Sequence, residues 1–357
     1  MEGRAIGLVG GPAGPAPPPS PAGVPAAGPP GARRRAWAAA LKVGVSAALL
    51  AFLLSRVDRG AMAGALRGAW LSLLLLCIPL YGVGQLLSTL RWQVLLEAEG
   101  IRVPLRRLLL LYLEGMFFSL FLPTAVGGDV VRGYRIWHLT RAGEGALASI
   151  LVERLTGFVA MVGIAAATTA AALTTGALRD TSVVLFVAVV AAGLAGAIGV
   201  LMSPAALRLV DRLLAGRTDV GFMQGVRRFG EAMQRYRGHG RAVIAALGMS
   251  LGFQTLLIFL VYLVALALRL PVHFMPFLIF IPMVNVISMV PISLGGLGVR
   301  EGGIVYLLGK IGVEPAGALT LSLLWFAIVA VTSLPGGIIF LWGGHAAKAR
   351  PSPVVAE

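Results

Sequence analysis

The sequence predicts an all-α, polytopic membrane protein of about eight transmembrane helices, interrupted by two broken-helix or re-entrant elements that derive from an internal repeat. Three observations predict it. Hydrophobic residues make up 58% of the chain and charged residues 13%, about half the charged share of an ordinary soluble domain, and the mean hydropathy is +0.88. Apolar runs close to the 20 or so residues that a bilayer crossing needs recur along the chain. One pattern also occurs twice: PTAVGGDVVR from Pro123 to Arg132 and PISLGGLGVR from Pro291 to Arg300, both P-x3-G-G-x3-R, 168 positions apart.

Residues 1–35 read as a disordered tail, because nine prolines fall in the first 32 positions and few side chains there can pack. Arg33, Arg34 and Arg35 precede an apolar run from Ala36 to Leu54 that lacks a convincing cleavage site, so a retained first span is expected. The remaining spans are expected near 70–90, 105–122, 147–173, 182–202, 241–268, 274–291 and 316–342. Together they form a transmembrane domain over 36–345, followed by a short tail at 346–357. Within it, 203–240 carries Arg208, Arg212, Arg217, Arg227, Arg228, Arg235 and Arg237 among apolar positions and reads as a basic interfacial segment.

The repeat matches third span, motif and fourth span with seventh span, motif and eighth span. Eight simple spans would place the amino-terminal arginines and the 203–240 arginines on opposite sides, against the rule that cations stay on one face. Either a broken helix adds a crossing or the long segment evades the rule. The sequence leaves sidedness open, and with it whether the repeat is parallel or inverted.

Thirty Lys and Arg against 15 Asp and Glu give a net charge of +15, which suits an anionic lipid surface or a substrate bearing phosphate or pyrophosphate. Nucleic acid is not expected as a partner, since the basic residues are spread over short inter-helix segments rather than gathered in a water-soluble domain. The lone Cys77 excludes disulfides and thiolate clusters, and His138, His239, His273 and His345 lack ligand spacing, so no metal or cofactor is expected. Gly303 to Lys310 has five residues between its glycines and is followed by Ile311, so it is no phosphate loop. Gly296-Leu-Gly298 lacks the spacing and the strand of a dinucleotide fingerprint.

Within the motif, Pro123 and Pro291 remove an amide donor and Gly127, Gly128, Gly295 and Gly296 permit unusual backbone, so helix should break there. Broken backbone at membrane depth is tolerated only inside protein or beside a wet cavity. A helix restarting after Gly128 or Gly296 would offer free amides to an anion, and Arg132 and Arg300 would add a planar fork suited to phosphate. The competing reading is a tight turn whose arginines snorkel to head groups.

Supporting polar or proton-carrying candidates are Glu114, Asp129, Glu153, Arg154 and Glu301, because a charge in mid-span costs roughly 2.5–3.5 kcal/mol on insertion scales. Asp129 would orient Arg132 three residues on or carry a proton. Asn285 and Ser288 would line the second site or bond between helices. Arg135, His138 and Arg141 read as the solvated face of a short interfacial helix.

Leu90-Arg91-Trp92, Phe117-Phe118-Ser119 running into Pro123 to Arg132, Val152-Glu153-Arg154-Leu155, and Pro291 to Glu301 together resemble the lysylphosphatidylglycerol synthase transmembrane-region family, the flippase-like domain proteins, over about 36–345. The resemblance implies movement of a phospholipid or lipid-linked intermediate. The chain ends at 357 without the aminoacyl-transferase domain of larger members, so lysyl transfer is not expected. The alternatives are a non-catalytic membrane partner of envelope or lipid biosynthesis enzymes, and a lipid-carrier transferase using Asp129, Glu153 or Glu301 as general base. The expected location is a cell membrane, crossed several times, with bacterial origin suggested by the family and by the Ala, Gly and Arg bias.

Overall fold

The computed structural model describes residues 32–121, 127–203, 205, 220–290 and 293–346. The tail expectations for 1–31 and 347–357, and Pro123 and Pro291, lie outside the described residues. The chain separates into a leading unit, Met1–Ala38, of which only a helix start is described, and a body, Ala39–Glu357.

Among the described residues there are twelve α-helices and no strand: α1 (Ala32–Arg56), α2 (Arg59–Arg67), α3 (Leu71–Ala98), α4 (Leu105–Phe121), α5 (Gly127–Thr140), α6 (Gly143–Thr174), α7 (Thr181–Met202), α8 (Val220–Arg235), α9 (Gly240–Ala267), α10 (Phe274–Ser288), α11 (Val299–Gly309) and α12 (Pro315–Ala346). Five are long and apolar enough to cross a membrane: α3, α6, α7, α9 and Pro315–Leu341 of α12. The first and seventh expected spans fall in shorter apolar helices, Val43–Arg56 and Phe274–Ser288, and the third is the 17-residue α4. At 1.5 Å per residue a 15-residue helix reaches about 22 Å, short of the roughly 30 Å hydrocarbon core.

The duplication is legible in helix lengths. Residues per helix run 28, 17, 14 and 32 over α3–α6 and 28, 15, 11 and 32 over α9–α12. In each half a long helix leads into a short hairpin and a second long helix leaves it.

Packing at the two ends gives the polarity. At one end, called the near end, Trp92 and Leu96 of α3, Leu108 of α4, Ile136 of α5 and Ala146 and Ile150 of α6 form one buried cluster. Leu95 and Ala148 there join Ala232, Met233 and Tyr236 at α8 and Ala246 of α9. At the far end, the amide of Trp70 before α3 donates to the carbonyl of Ala267 at 2.8 Å, Val57 packs with Ala316 and Leu319 of α12, and Lys310 donates to Asp180 at 2.6 Å.

The α4–α5 hairpin therefore enters from the near end and returns to it, while α10–α11 enters from the far end. The repeat is inverted. Three long helices, α6, α7 and α9, separate the hairpins, an odd number of crossings, which settles the polarity that the sequence left open. The main core beneath the hairpins is aliphatic and aromatic, built from α3, α9, α10, α11 and α12 around Ile258, Leu260, Val264, Phe277, Leu308 and Leu321.

The basic interfacial segment is described from Val220. Alternation of Ala232, Met233 and Tyr236, buried, with Arg228, Arg235 and Arg237, exposed, gives α8 and the turn after it one apolar and one cationic face, the pattern of a helix lying at a membrane surface. The Tyr236 hydroxyl donates to the Leu95 carbonyl at 2.7 Å in a buried setting. Tyr236→Phe is expected to lower stability by about 0.5–1.5 kcal/mol, read by thermal unfolding in detergent; an unchanged midpoint would mean water satisfies that carbonyl. At the far end the hydrogen bond from Lys310 holds the Asp180 carboxyl well below the usual carboxylate range. A depressed carboxylate contributes above its unfolded value near 4 and loses that contribution only as pH falls through the folded one, so this tie is constant from about pH 5 to 8.

Candidate functional site

The first hairpin is held by glycines. An added Cβ on Gly128 would stand 2.0 Å from the Gly115 carbonyl oxygen and 2.2 Å from the Ser119 hydroxyl, so α5 lies directly against α4. This close approach places α5 so that Asp129 and Arg132, one turn apart, face α6. Both motif glycines, Gly127 and Gly128, are inside the first turn of α5 and buried. The helix thus starts at the glycines rather than after them, a correction to the expected restart.

Around Arg132 the buried charges form a chain. Its Nη2 donates to Asp129 Oδ1 at 2.6 Å and its Nη1 to Glu153 Oε2 at 3.1 Å. The guanidinium also lies 4.8 Å from the Trp92 ring centroid and 4.5 Å from that of Tyr112. Glu153 Oε1 accepts from Arg91 Nη2 at 2.9 Å and from the Tyr112 hydroxyl at 3.2 Å, and Arg91 Nη1 donates to Ser250 Oγ at 2.9 Å. The other oxygen of Asp129 accepts from Arg154 Nε at 2.6 Å. Glu153 and Arg154, being adjacent on α6, point to different faces, which is why one faces Arg91 and the other closes on Asp129.

Burying charge is tolerable when each group is paired, and the chain achieves this from Ser250 to Asp129. It ends differently. The Arg154 side chain is 51% exposed, and its two Nη groups have no hydrogen-bond or ion-pair partner among the described residues.

The second motif has the same letters and a different backbone. Gly295 and Gly296 form a 3-10 turn, Leu294–Gly296, with φ of 57° and 79°, and Gly298 has φ 85°; these are left-handed values that favour glycine. An added Cβ on Gly298 would also come within 2.5 Å of Leu49 Cβ. Helix α11 consequently begins only at Val299, three residues beyond Gly296.

Glu301, fully buried, accepts from the Gly298 amide at 2.6 Å, from Arg300 Nε at 3.0 Å and Nη2, and from the Ser322 hydroxyl at 3.3 Å. The Gly298 amide, which the sequence offered to an anion at this helix start, is therefore occupied by the chain's own carboxylate. Arg300 stacks over Phe326 at 5.2 Å, and its Nη1 has no hydrogen-bond or ion-pair partner among the described residues.

Both motifs open on one cavity of about 510 Å³. Arg91, Asp129, Arg132, Glu153 and Arg154 line it from the first half, and Asn285, Gly295 and Arg300 from the second. Phe158, Met161 and Phe326 supply apolar wall. Four arginines face it against two carboxylates, a cationic excess. Among the described residues no group of His, Cys, Asp and Glu has metal-ligand geometry.

Several candidates lie elsewhere. Glu114 is buried outside the cavity and pairs with Arg135 at 3.1 Å, so Arg135 belongs partly to a buried pair rather than wholly to a solvated face; His138 and Arg141 are exposed. Gly127, Gly296 and Glu301 stand behind the lining. Ser288 turns its hydroxyl back to the Val284 carbonyl at 2.7 Å.

Arg91, Tyr112 and Ser250 join this charge chain although sequence reasoning did not assign them to the site. The signal for Arg91 was its position: a span taken to end at 90 leaves it at the margin, whereas α3 continues as helix to Ala98.

The family model described as the lysylphosphatidylglycerol synthase TM region matches residues 39–336, which include every cavity-lining residue named above. No curated protein matches the chain.

Proposed function

The chain belongs to the lysylphosphatidylglycerol synthase transmembrane-region family, and from that premise we propose that it binds a phospholipid or lipid-linked, phosphate-bearing intermediate in the central cavity and carries the head group across the membrane. The observation that supports this reading is convergence: α6, beside the first hairpin, and the second hairpin, from the opposite end, each deliver an arginine with unused donors to one cationic cavity. The unpartnered Nη groups of Arg154 and Nη1 of Arg300 take the phosphate oxygens, since guanidinium donates along fixed, forked directions. Arg132 and Arg91, committed to carboxylates, supply positive potential and hold the frame.

A cavity of about 510 Å³ has room for a head group and not for a whole lipid, so acyl or prenyl chains stay in the bilayer beside it. Partners are then membrane lipids, with envelope biosynthesis enzymes supplying or consuming the substrate, and the location is a bacterial inner or plasma membrane.

The test is head-group translocation in proteoliposomes with labelled anionic, zwitterionic and aminoacylated phospholipids and a prenyl-phosphate sugar. The Arg154→Gln, Arg300→Gln double variant should lose roughly tenfold or more of the rate, the scale of a lost charge-assisted hydrogen bond, with its melting temperature near that of the wild type. Failure of a well-folded wild type to move any of these lipids would shift the reading to a non-catalytic membrane partner of envelope enzymes.

A further inference from the structure

We propose a second lipid site, apart from the central cavity, that holds the phosphodiester of an anionic phospholipid at the near end. A cleft of about 500 Å³ lies between the close of α5, the first turns of α6 and α8, with Trp137, Leu147, Arg141, Arg228 and Arg235 in its lining. Its carboxylates are Glu144 and Glu231, so the cations are in excess. The arginines differ in what they do. Arg235 is engaged by Glu144 and, at 3.5 Å, by Glu99. Arg141 and Arg228 are exposed and have no hydrogen-bond or ion-pair partner through their side chains among the described residues. Two uncommitted guanidinium groups at the mouth of a cleft fit a phosphate group, which accepts several charge-assisted bonds at once.

The backbone at Arg141 points the same way. It has φ 60°, with its amide donating to the Trp137 carbonyl at 2.8 Å, the left-handed helix stop that glycine or asparagine usually fills. A long cation in that strained place, as at Arg269 after α9, holds the Arg141 side chain on the turn that closes α5 onto the cleft.

The aromatic surroundings identify the source of the phosphate. Trp137 is 43% exposed and Tyr134 55%; their ring centroids are 6.1 Å apart, and His138 lies 5.1 Å from Trp137. Trp137 lies so close to Gly143 that an added Cβ would stand 2.9 Å from it, which fixes the indole beside the cleft. Exposed Trp and Tyr next to cations occupy the head-group level of a bilayer. Arg102, Arg106, Arg107, Arg237 and Arg241 are exposed at the same end, and α8 presents the cationic face of an interfacial helix there. The ligand is therefore a lipid of an anionic leaflet rather than soluble phosphate.

The experiment uses the full chain in nanodiscs of phosphatidylcholine doped with brominated-acyl phosphatidylglycerol, or with brominated phosphatidylcholine at equal mole fraction. The readout is quenching due to Trp137, taken as the difference between wild type and Trp137→Phe. Brominated phosphatidylglycerol should reach half-maximal quenching at a several-fold lower mole fraction than brominated phosphatidylcholine, and the Arg141→Gly, Arg228→Gln variant should lose that preference. Because Arg141→Gly relieves left-handed strain, the variant should melt no lower than the wild type, so misfolding cannot imitate the result. Equal quenching by both lipids, or a preference that survives in the variant, would overturn the site. Abolition of the preference by millimolar inorganic phosphate would overturn its assignment to lipid.

Discussion

Glu153→Gln is expected to destabilise the protein by about 3–5 kcal/mol, the cost of removing one partner from a buried ion pair. Glu153 is the junction of the charge chain, taking hydrogen bonds from Arg91, Arg132 and Tyr112. The amide keeps the shape and loses the charge, so two guanidinium groups whose side chains are only 6% and 5% exposed lose their common counter-ion. Arg132 retains Asp129; Arg91 retains the Ser250 hydroxyl and the Phe253 ring, and no carboxylate among the described residues. Arg91 should therefore carry most of the penalty, and Arg91→Met on the Glu153→Gln background should restore part of the loss as a coupling energy. Thermal unfolding in detergent reads both. A loss below about 1 kcal/mol would mean that water in the cavity solvates the arginines and that the pairs are not the frame of the site.

Gly128→Ala and Gly336→Ala should each abolish or severely reduce folded protein. Helix α4 is gripped from both sides: an added Cβ on Gly336 of α12 would stand 2.0 Å from the Leu113 carbonyl oxygen, and one on Gly128 of α5 the same distance from that of Gly115. The obstructing atoms are backbone of a helix that is itself packed, so no rotamer change gives relief. The cost is expected at or beyond the upper end of the roughly 1–3 kcal/mol typical of overpacking. Gly248→Ala on α9, whose added Cβ meets nothing within 4 Å, is the control and should stabilise by about 0.5–1 kcal/mol. Normal expression and melting of Gly128→Ala would show that α4 and α5 can separate, and would remove the packing that sets Asp129 and Arg132 against α6.

The helical spans and the repeat were legible in the sequence because both are local: an apolar run reports on its own residues, and P-x3-G-G-x3-R reports on ten. Of the candidate residues, Asp129, Arg132, Glu153, Arg154 and Arg300 line one cavity. Pairing was not legible. Arg91 and Ser250 stand 159 positions apart, and nothing in either stretch announces the other.

The two Gly-Gly pairs illustrate the limit most directly. Asp129 follows the first pair and α5 runs straight through it, whereas Leu297 and a third glycine, Gly298, follow the second and the backbone turns left-handed three times. Hydropathy likewise made α4 and α10 look like crossings, because an apolar run records the solvent around a segment and carries no information about where the chain turns back.

The inverted arrangement has a thermodynamic corollary. In a molecule built of two identical inverted halves, the form open to one side and the form open to the other would be equal in free energy, and a head group would be handed over with no resting preference. This chain is not of that kind: Arg132, Asp129, Glu153 and Arg91 form a chain of pairs in the first half, while in the second Arg300 pairs with its neighbour Glu301 and stacks on Phe326. Each contact made by one half alone adds to the difference between the two forms, and about 1.4 kcal/mol of such difference is enough for a tenfold bias in their populations. On the proposed reading, unequal charge pairing between the two halves gives head-group carriage a default direction in which to wait.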